Sequence, residues 1–507
     1  MSPSNGAAER SPALRVSSRP SLEKGAELVA TAREADSCVR VLETGPTGIE
    51  GAEPLVLATV ADRTAVFTDP DESTIRNAVG ALDDGTVPDE AAETVIRHEP
   101  NRSTIPIPDD GALAVGDRRV LGPCGWVEPT SPDDLELVSV GRDASEIGDL
   151  GLLGRGRGDA VADEPAADAW ERARETDGEA VVVVNAHRTD VRPRADRTLL
   201  AGAPLAVLDG AAAVAERVGA SDVIVHLAPR DEGLGRLVRR AADAAHDALS
   251  IDPQVVVGPD EYRAGAPTAA LEALEGADRI EPRIQPPTPA EYGLHGRPTV
   301  VHTPRTLAQV RHALAEPGAY DSTAADPGTR LVTVTGDVVY PATIELPPDT
   351  SLTACREAVT IDGRFELACV GGVFGGIVRD LDVAPTARSL AAAELGTDGV
   401  VELLNETRCP VATAGERARF AAEANSGRCV PGREGTRQLL SLLRDVYDGR
   451  YAGEDIRELA RVMAGSANCQ VGAHAPRPVT TAMEEFEPAF RAHADGRCPS
   501  GTCTGAP

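Results

Sequence analysis

Apolar residues in this chain cluster in two rhythms. EAVVVVNA (179–186), SDVIVHLA (221–228) and PQVVVG (253–258) are unbroken apolar runs of the kind that buried parallel strands present. Between them, APLAVLDGAAAVAERVG (203–219) and GRLVRRAADAAHDAL (235–249) carry apolar residues at helical spacing. Strand–helix–strand alternation predicts a doubly wound α/β sheet. Upstream, LVLATVADRTAVFT (55–68) reads as two β-rich runs about a turn, followed by a helical STIRNAVGAL (73–82). Downstream, TRLVTVTGDVVYPATIELPPDTSL (329–352) is short strands with turns. From about residue 410 the pattern is helical: ATAGERARFAAEA, GREGTRQLLSLLRDVYDG, EDIRELARVMAG and VTTAMEEFEPAFRAHA predict a bundle of four helices. Leu439, Leu442, Leu443, Val446, Leu459 and Val462 mark an apolar stripe on two of them.

Charge changes the picture of the surface. Asp and Glu total 80 against 50 Lys and Arg, a net charge of −30, and Lys24 is the single lysine. Phosphate backbones and anionic lipids are repelled by such a surface, so nucleic acid is excluded as a partner. The acidic excess is spread along the chain, which predicts a halophilic solvent adaptation. With aromatics at 3%, the core must be built from Val, Leu, Ala and Ile. No apolar run of about 18 residues predicts a spanning helix. Residues 1–35 lack an apolar signal core and read as a disordered leader, giving a cytoplasmic protein with no direct membrane insertion.

Nine cysteines (38, 124, 355, 369, 409, 429, 469, 498 and 503) in a reducing compartment point to metal ligation or plain burial. Cys38, Cys124, Cys355, Cys369 and Cys409 show no ligand spacing. The Gly-rich tail from residue 496 reads as flexible.

Four stretches carry more than periodicity: VVVVNAHRTDVRPRADRTLLAG (181–202), RIEPRIQPPTPAEYGLHGRPTVVHTPRTLAQV (279–310), NSGRCVPGREGTRQLL (425–440) and SANCQVGAHAPRPV (466–479). With RRVLGPCGWVEP (118–129) and RCPSGTC (497–503), they resemble the NADH-binding flavoprotein subunit of respiratory complex I and its relatives in NAD-linked hydrogenases. The resemblance implies a disordered leader (1–35), a reduced thioredoxin-like unit (36–117), a Rossmann-like FMN/NADH-type domain (118–325) and a β-grasp, SLBB-like module (326–400). A helical iron–sulfur-type domain (401–495) and a Cys-containing tail (496–507) follow. It also implies FMN, a 4Fe-4S cluster, NADH as substrate, and partner subunits in a complex I-like or hydrogenase-like assembly, peripheral to a membrane complex.

Residue by residue, the match thins at the sites. The family's flavin loop GRGGAGFPTG reads GRGRGDAVADEP here, so Gly154, Arg155 and Gly156 match while Arg157 and Asp159 intrude. In NAHRTDVRPRADR, Asn185 is kept, but an acidic pair has become His187 and Arg188, donors where acceptors stood. In GPDEYRAGAPTAA, Tyr262, Gly265 and Thr268 align, and two glutamates are Ala266 and Pro267. His302 and Thr303 stand where the family has an asparagine pair. Of the four cluster cysteines, Cys429 and Cys469 remain; Ser426 and Gly432 occupy the other two places. Cys498 and Cys503 are possible substitute ligands beside Cys429 and Cys469. Arg155, Arg157, Arg188, Arg192 and Arg194 form a further candidate, an anion site in the flavin cleft. The losses point to a scaffold or partner-binding subunit; the other reading is an active NADH:acceptor oxidoreductase subunit passing electrons through FMN to the cluster.

Overall fold

A computed structural model describes residues 12–503 and 505, apart from residues 20, 36, 101, 140 and 143. Its α/β architecture combines one parallel sheet, two mixed sheets and a helical C-terminal region. The first sheet comprises β1 (Ala13–Ser17), β2 (Arg40–Thr44), β3 (Leu55–Val60), β4 (Arg63–Thr68) and β5 (Thr94–Arg97), in the order β2-β1-β3-β4-β5. Helices α1 (Glu23–Glu34) and α2 (Glu72–Asp83) cover it; Asp71 caps α2 by accepting from the Thr74 N–H at 2.8 Å.

The disordered leader therefore needs correction. Residues 1–11 lie outside the described residues, but Ala13–Ser17 is a fully buried strand between β2 and β3, followed by α1. Only five residues long, β1 gains its stability from two neighbours and from Arg15, whose guanidinium lies 3.9 Å over the Trp126 ring.

The parallel sheet is the centre of the molecule. Along the chain run α3 (Ala166–Glu175), β6 (Val181–Asn185), α4 (Ala195–Gly202), α5 (Pro204–Val218), β7 (Asp222–Leu227), α6 (Glu232–Ala244), β8 (Gln254–Val257), α7 (Pro267–Leu274), β9 (Thr299–His302) and α8 (Pro304–Ala315). The strand order is β8-β7-β6-β9, all parallel. Side-chain alternation splits the β6 valines: Val181 and Val183 join Leu271 and Leu294 on one face, and Val182 and Val184 join the large core on the other. α5 is buried on nearly every side because α8 crosses it closely; a β-carbon on Gly210 would lie 2.0 Å from the Leu307 carbonyl oxygen. Gly219, at φ 68°, ends α5 in the left-handed conformation.

The second mixed sheet holds β10 (Arg330–Gly336), β11 (Ala342–Leu346), β12 (Phe365–Val370), β13 (Gly376–Val378) and, after α9 (Ala387–Ala392), β14 (Val400–Asn405). Its order, β11-β10-β14-β12-β13, extends this unit beyond the boundary read at residue 400. The C-terminal region contains α10 (Pro410–Ala424), α11 (Thr436–Tyr447), α12 (Gly453–Ser466), α13 (Gln470–His474), α14 (Arg477–Glu485) and α15 (Glu487–Ala494). That is not four helices. The last predicted one breaks at Phe486, just ahead of Pro488, and α13 is an added short turn. Leu439, Leu442, Leu443 and Val446 are buried as expected, but Val462 is 51% exposed. Among the described residues, no single helix is long and apolar enough to cross a membrane.

Candidate functional site

The C-terminal ends of β6, β7 and β9 meet the loop 154–158 and the turn preceding α7, the position where open parallel sheets bind ligands. A cavity of about 160 Å³ lies there. Gly154, Arg155, Gly156, Asn185, Gly265, Thr268, His302 and Thr303 all line it, so the structure gathers eight of the nine sequence-picked residues. Tyr262 does not line it; its ring packs edge-on against Phe374 and Phe420 instead.

The arginines proposed to converge on an anion are instead committed to carboxylates. Arg155 is buried and paired with Asp163 and Asp326, which also draw in Arg330. Arg157 donates from Nε to Asp159 at 2.7 Å and from Nη1 to the Tyr262 carbonyl, and its guanidinium stacks 4.1 Å over the Tyr262 ring. The Tyr262 hydroxyl donates to the same Asp159 at 2.8 Å. Arg188 meets Asp398 at 2.8 Å and Asp196 at 3.6 Å; Arg305 meets the same two acids at 3.2 and 3.3 Å. Burial opposes the charge on Arg188, yet Asp398 and Asp196 hold its pKa above the ordinary arginine value. Arg192 pairs with Asp190 and Glu402, and Arg194 with Glu50. Glu402 is so deeply buried that its pKa rises to about 7 despite Arg192. The converging-anion arrangement is thus corrected to a set of internal ion pairs. Arg305 and Asp398 were not singled out from sequence, because Asp398 lies 93 residues from Arg305 and 210 from Arg188.

His302 and His187 are likewise engaged within the chain. His302 Nε2 accepts from Trp170 Nε1 at 2.8 Å, and burial takes its pKa down to about 4, so that nitrogen is not a donor to any ligand. His187 faces the Pro259 carbonyl at 2.7 Å and stacks on His226, ring centroids 4.7 Å apart. His226 is fully buried, neither ring nitrogen has a partner among the described residues, and burial takes its pKa down to about 3. Asn185 donates to the Gly265 carbonyl at 3.0 Å.

In the helical region, Cys429 Sγ lies 3.4 Å from Cys469 Sγ. Each sulfur accepts a backbone N–H, from Gly432 at 3.3 Å and Gly472 at 3.4 Å. A β-carbon on Gly432 would lie 3.3 Å from Cys429 Sγ and 3.9 Å from Cys469 Sγ, so position 432 faces this sulfur pair. The Ser426 hydroxyl accepts from the Arg428 N–H at 3.4 Å.

Cys498 and Cys503 do not join this pair. They gather with Cys409 and His493, all four ligand atoms within 4.8 Å of one another. The tail expected to be flexible is packed, Cys498 and Cys503 half-buried against the bundle core. Cys409, which showed no ligand spacing, belongs to this group because it precedes α10 while His493 lies in the last turn of α15, 84 residues later. Only the C-x4-C pair was legible.

The FMN-binding domain model of the Nuo51 type matches residues 147–312, and the iron–sulfur binding region model of NADH-ubiquinone oxidoreductase-F matches residues 412–493. FMN, a 4Fe-4S cluster and NADH are therefore the family's cofactors. The HndC component of the NADP-reducing hydrogenase of Solidesulfovibrio fructosivorans is 27% identical over 75% of this chain and 84% of its own length. The NADH-quinone oxidoreductase F component of Streptomyces coelicolor is 28% identical over 73% and 85%. The alpha component of the NAD-reducing hydrogenase HoxS of Cupriavidus necator is 26% identical over 91% and 80%. In fold, the chain is similar to a crystal structure of NAD+-reducing NiFe-hydrogenase in the H2-reduced state, at a TM-score of 0.64 and 24% identity over 95% of this chain and 84% of that one.

Proposed function

We propose that this chain, a relative of the F components of NADH-quinone oxidoreductase and of NAD-reducing hydrogenase subunits, is the scaffold and partner-binding member of such an assembly and carries no electrons. The observation behind this reading is the Arg157–Asp159–Tyr262 lock. In the family's flavin loop a guanidinium lies where glycine would let a ring approach, and it is held on two sides by its own chain. These residues do not fit a flavin. The donors His187 and Arg188 are turned to Pro259 and Asp398, and the remaining cavity of about 160 Å³ is smaller than the ~300 Å³ at which ligand pockets usually begin. Nor do two touching thiols beside a glycine fit a cube, which needs four ligands.

The second reading, an active NADH:acceptor oxidoreductase, has one observation in its favour: Gly154, Gly156, Asn185, Gly265 and Thr303 still line a single cavity at the strand ends. One experiment separates the two. Protein purified in molar potassium chloride, incubated with FMN and desalted, is expected to show no flavin band and no NADH:ferricyanide activity. Retained stoichiometric flavin with turnover would restore the enzyme reading.

On the same reading, residues 13–97 correspond to a reduced thioredoxin-like unit, the parallel-sheet region to a Rossmann-like domain and the second mixed sheet to a β-grasp module. We place the protein in a halophilic cytoplasm, peripheral to a membrane complex, because the −30 charge with one lysine needs salt to screen it. Its thermal melt should weaken on dialysis from molar to dilute salt.

A further inference from the structure

We propose that Cys409, His493, Cys498 and Cys503 hold one structural zinc ion that fastens the C-terminal tail to the start of α10. The assigned iron–sulfur region ends at His493 and includes none of the three cysteines, and Cys429 and Cys469 lie in a separate pair.

The geometry favours a mononuclear tetrahedron. Cys409 Sγ is 3.5 Å and Cys503 Sγ 3.3 Å from His493 Nε2, and all four ligand atoms fall within 4.8 Å. Zinc bonds of about 2.3 Å to sulfur and about 2.0 Å to nitrogen give tetrahedral edges of about 3.5–3.8 Å. A cube would hold its ligand sulfurs further apart than that. Three thiolates with one imidazole are a structural-zinc donor set, complete without an open position for water.

The supporting contacts match as well. His493 Nδ1 faces the Ala489 carbonyl at 2.7 Å, where it can only donate; that fixes the tautomer and leaves the Nε2 lone pair directed at the three sulfurs. Cys409 occupies the N-cap of the fifteen-residue α10, and the unpaired N–H groups there favour a thiolate. The Tyr447 hydroxyl is 3.7 Å from Cys503 Sγ, and its ring meets the His493 ring at 5.1 Å. Cys409 and His493 are each 4% exposed and Cys498 and Cys503 are half-buried, so the four meet at the margin of the bundle core, where a cation offsets the thiolate charge.

The test uses the full chain, purified in molar salt without added metal and analysed by mass spectrometry for zinc and iron. About one zinc per chain is expected, falling at least tenfold in Cys498→Ser and Cys503→Ser and unchanged in Cys429→Ser. Because tail variants could misfold, wild-type protein is also stripped and titrated with Co2+. Intense visible bands of a tetrahedral thiolate site, abolished by stoichiometric Zn2+, are expected. Iron in place of zinc, zinc lost in Cys429→Ser but kept in the tail variants, or weak octahedral cobalt bands would each overturn the proposal.

Discussion

At the strand ends, the charged and polar side chains that depart from the family pattern have found partners. Arg157 has Asp159 and Tyr262, Arg188 has Asp398 and Asp196, and His302 has Trp170. At the cluster position, by the same family pattern, the departures offer no new contacts. Among the described residues Ser426 meets no more than its own backbone neighbour, Gly432 brings no side chain, and Cys429 and Cys469 are left touching each other. On the scaffold reading proposed above, one region has been rebuilt as a folded core and the other has been emptied. The difference teaches where stability now resides. A buried guanidinium is tolerable only with its carboxylate, so the sheet edge has become interdependent. A missing thiolate costs a helix bundle little once Leu439, Leu443 and Val446 hold it.

The sharpest way to break this comparison is at Asp398. Its carboxylate serves two buried guanidiniums, with side chains of Asp398, Arg188 and Arg305 5%, 5% and 3% exposed. Asp398→Ala should cost about 3–5 kcal/mol in equilibrium unfolding in molar salt, because it strands buried charge. Arg188→Met added to it should recover part of that loss. A single-variant cost below about 1 kcal/mol would mean the pairs are not interdependent.

Second in size is a pH effect at His226. Its folded pKa, about 3, lies below the ordinary 6.5, so the folded state binds fewer protons than the unfolded chain between those values. Its stabilising contribution is therefore complete above about pH 6.5 and is lost as pH falls toward 3. Glu402, raised to about 7, works in the opposite direction, its contribution being lost as pH rises through 7. His226→Leu removes two unpartnered ring nitrogens and should stabilise by about 1–2 kcal/mol at neutral pH. Its advantage over wild type should widen by up to about 1.4 kcal/mol per pH unit between about 6.5 and 4. Parallel pH–stability curves would show that His226 is not held neutral.

These contacts mark the limit of what the sequence discloses. The unbroken runs at β6 and β7 announced parallel strands because two-faced burial demands continuous valine and isoleucine, whereas β8, also read as a buried strand, lies at the end of the sheet with none of its four residues buried. β9 stayed hidden, since four residues ended by Pro304 give too short a run to separate from its motif. β1 was masked by a polar, Ser-rich flank, and only its place between two strands makes it a strand. The identity of each altered site residue was legible in the motifs. Its partner was not, because Arg188 and Asp398 are 210 residues apart and Cys409 and His493 are 84 apart. Periodicity reports which face is buried and says nothing about which distant charge meets it.

The smallest effect belongs to the emptied region. Cys429→Ser should change unfolding free energy by less than about 1 kcal/mol, because the Cys429 sulfur accepts the Gly432 N–H and makes one weak contact with Cys469 Sγ, roles a hydroxyl can also fill. The informative counterpart adds ligands back. Ser426→Cys with Gly432→Cys restores four thiols, and a β-carbon at 432 already lies 3.3 and 3.9 Å from the two native sulfurs. A side chain there faces both sulfurs, and because 3.3 Å is tighter than an ordinary β-carbon contact the Cys429 sulfur must give by a few tenths of an ångström. After anaerobic treatment with iron and sulfide, the double variant should acquire broad visible absorption and nearly four irons per chain, while wild type stays colourless. Success would mean that the bundle kept the shape of the cluster site and lost only its ligands. If wild type itself takes up a stoichiometric, Cys429-dependent cube, the region was never emptied, and the scaffold reading must yield to electron transfer.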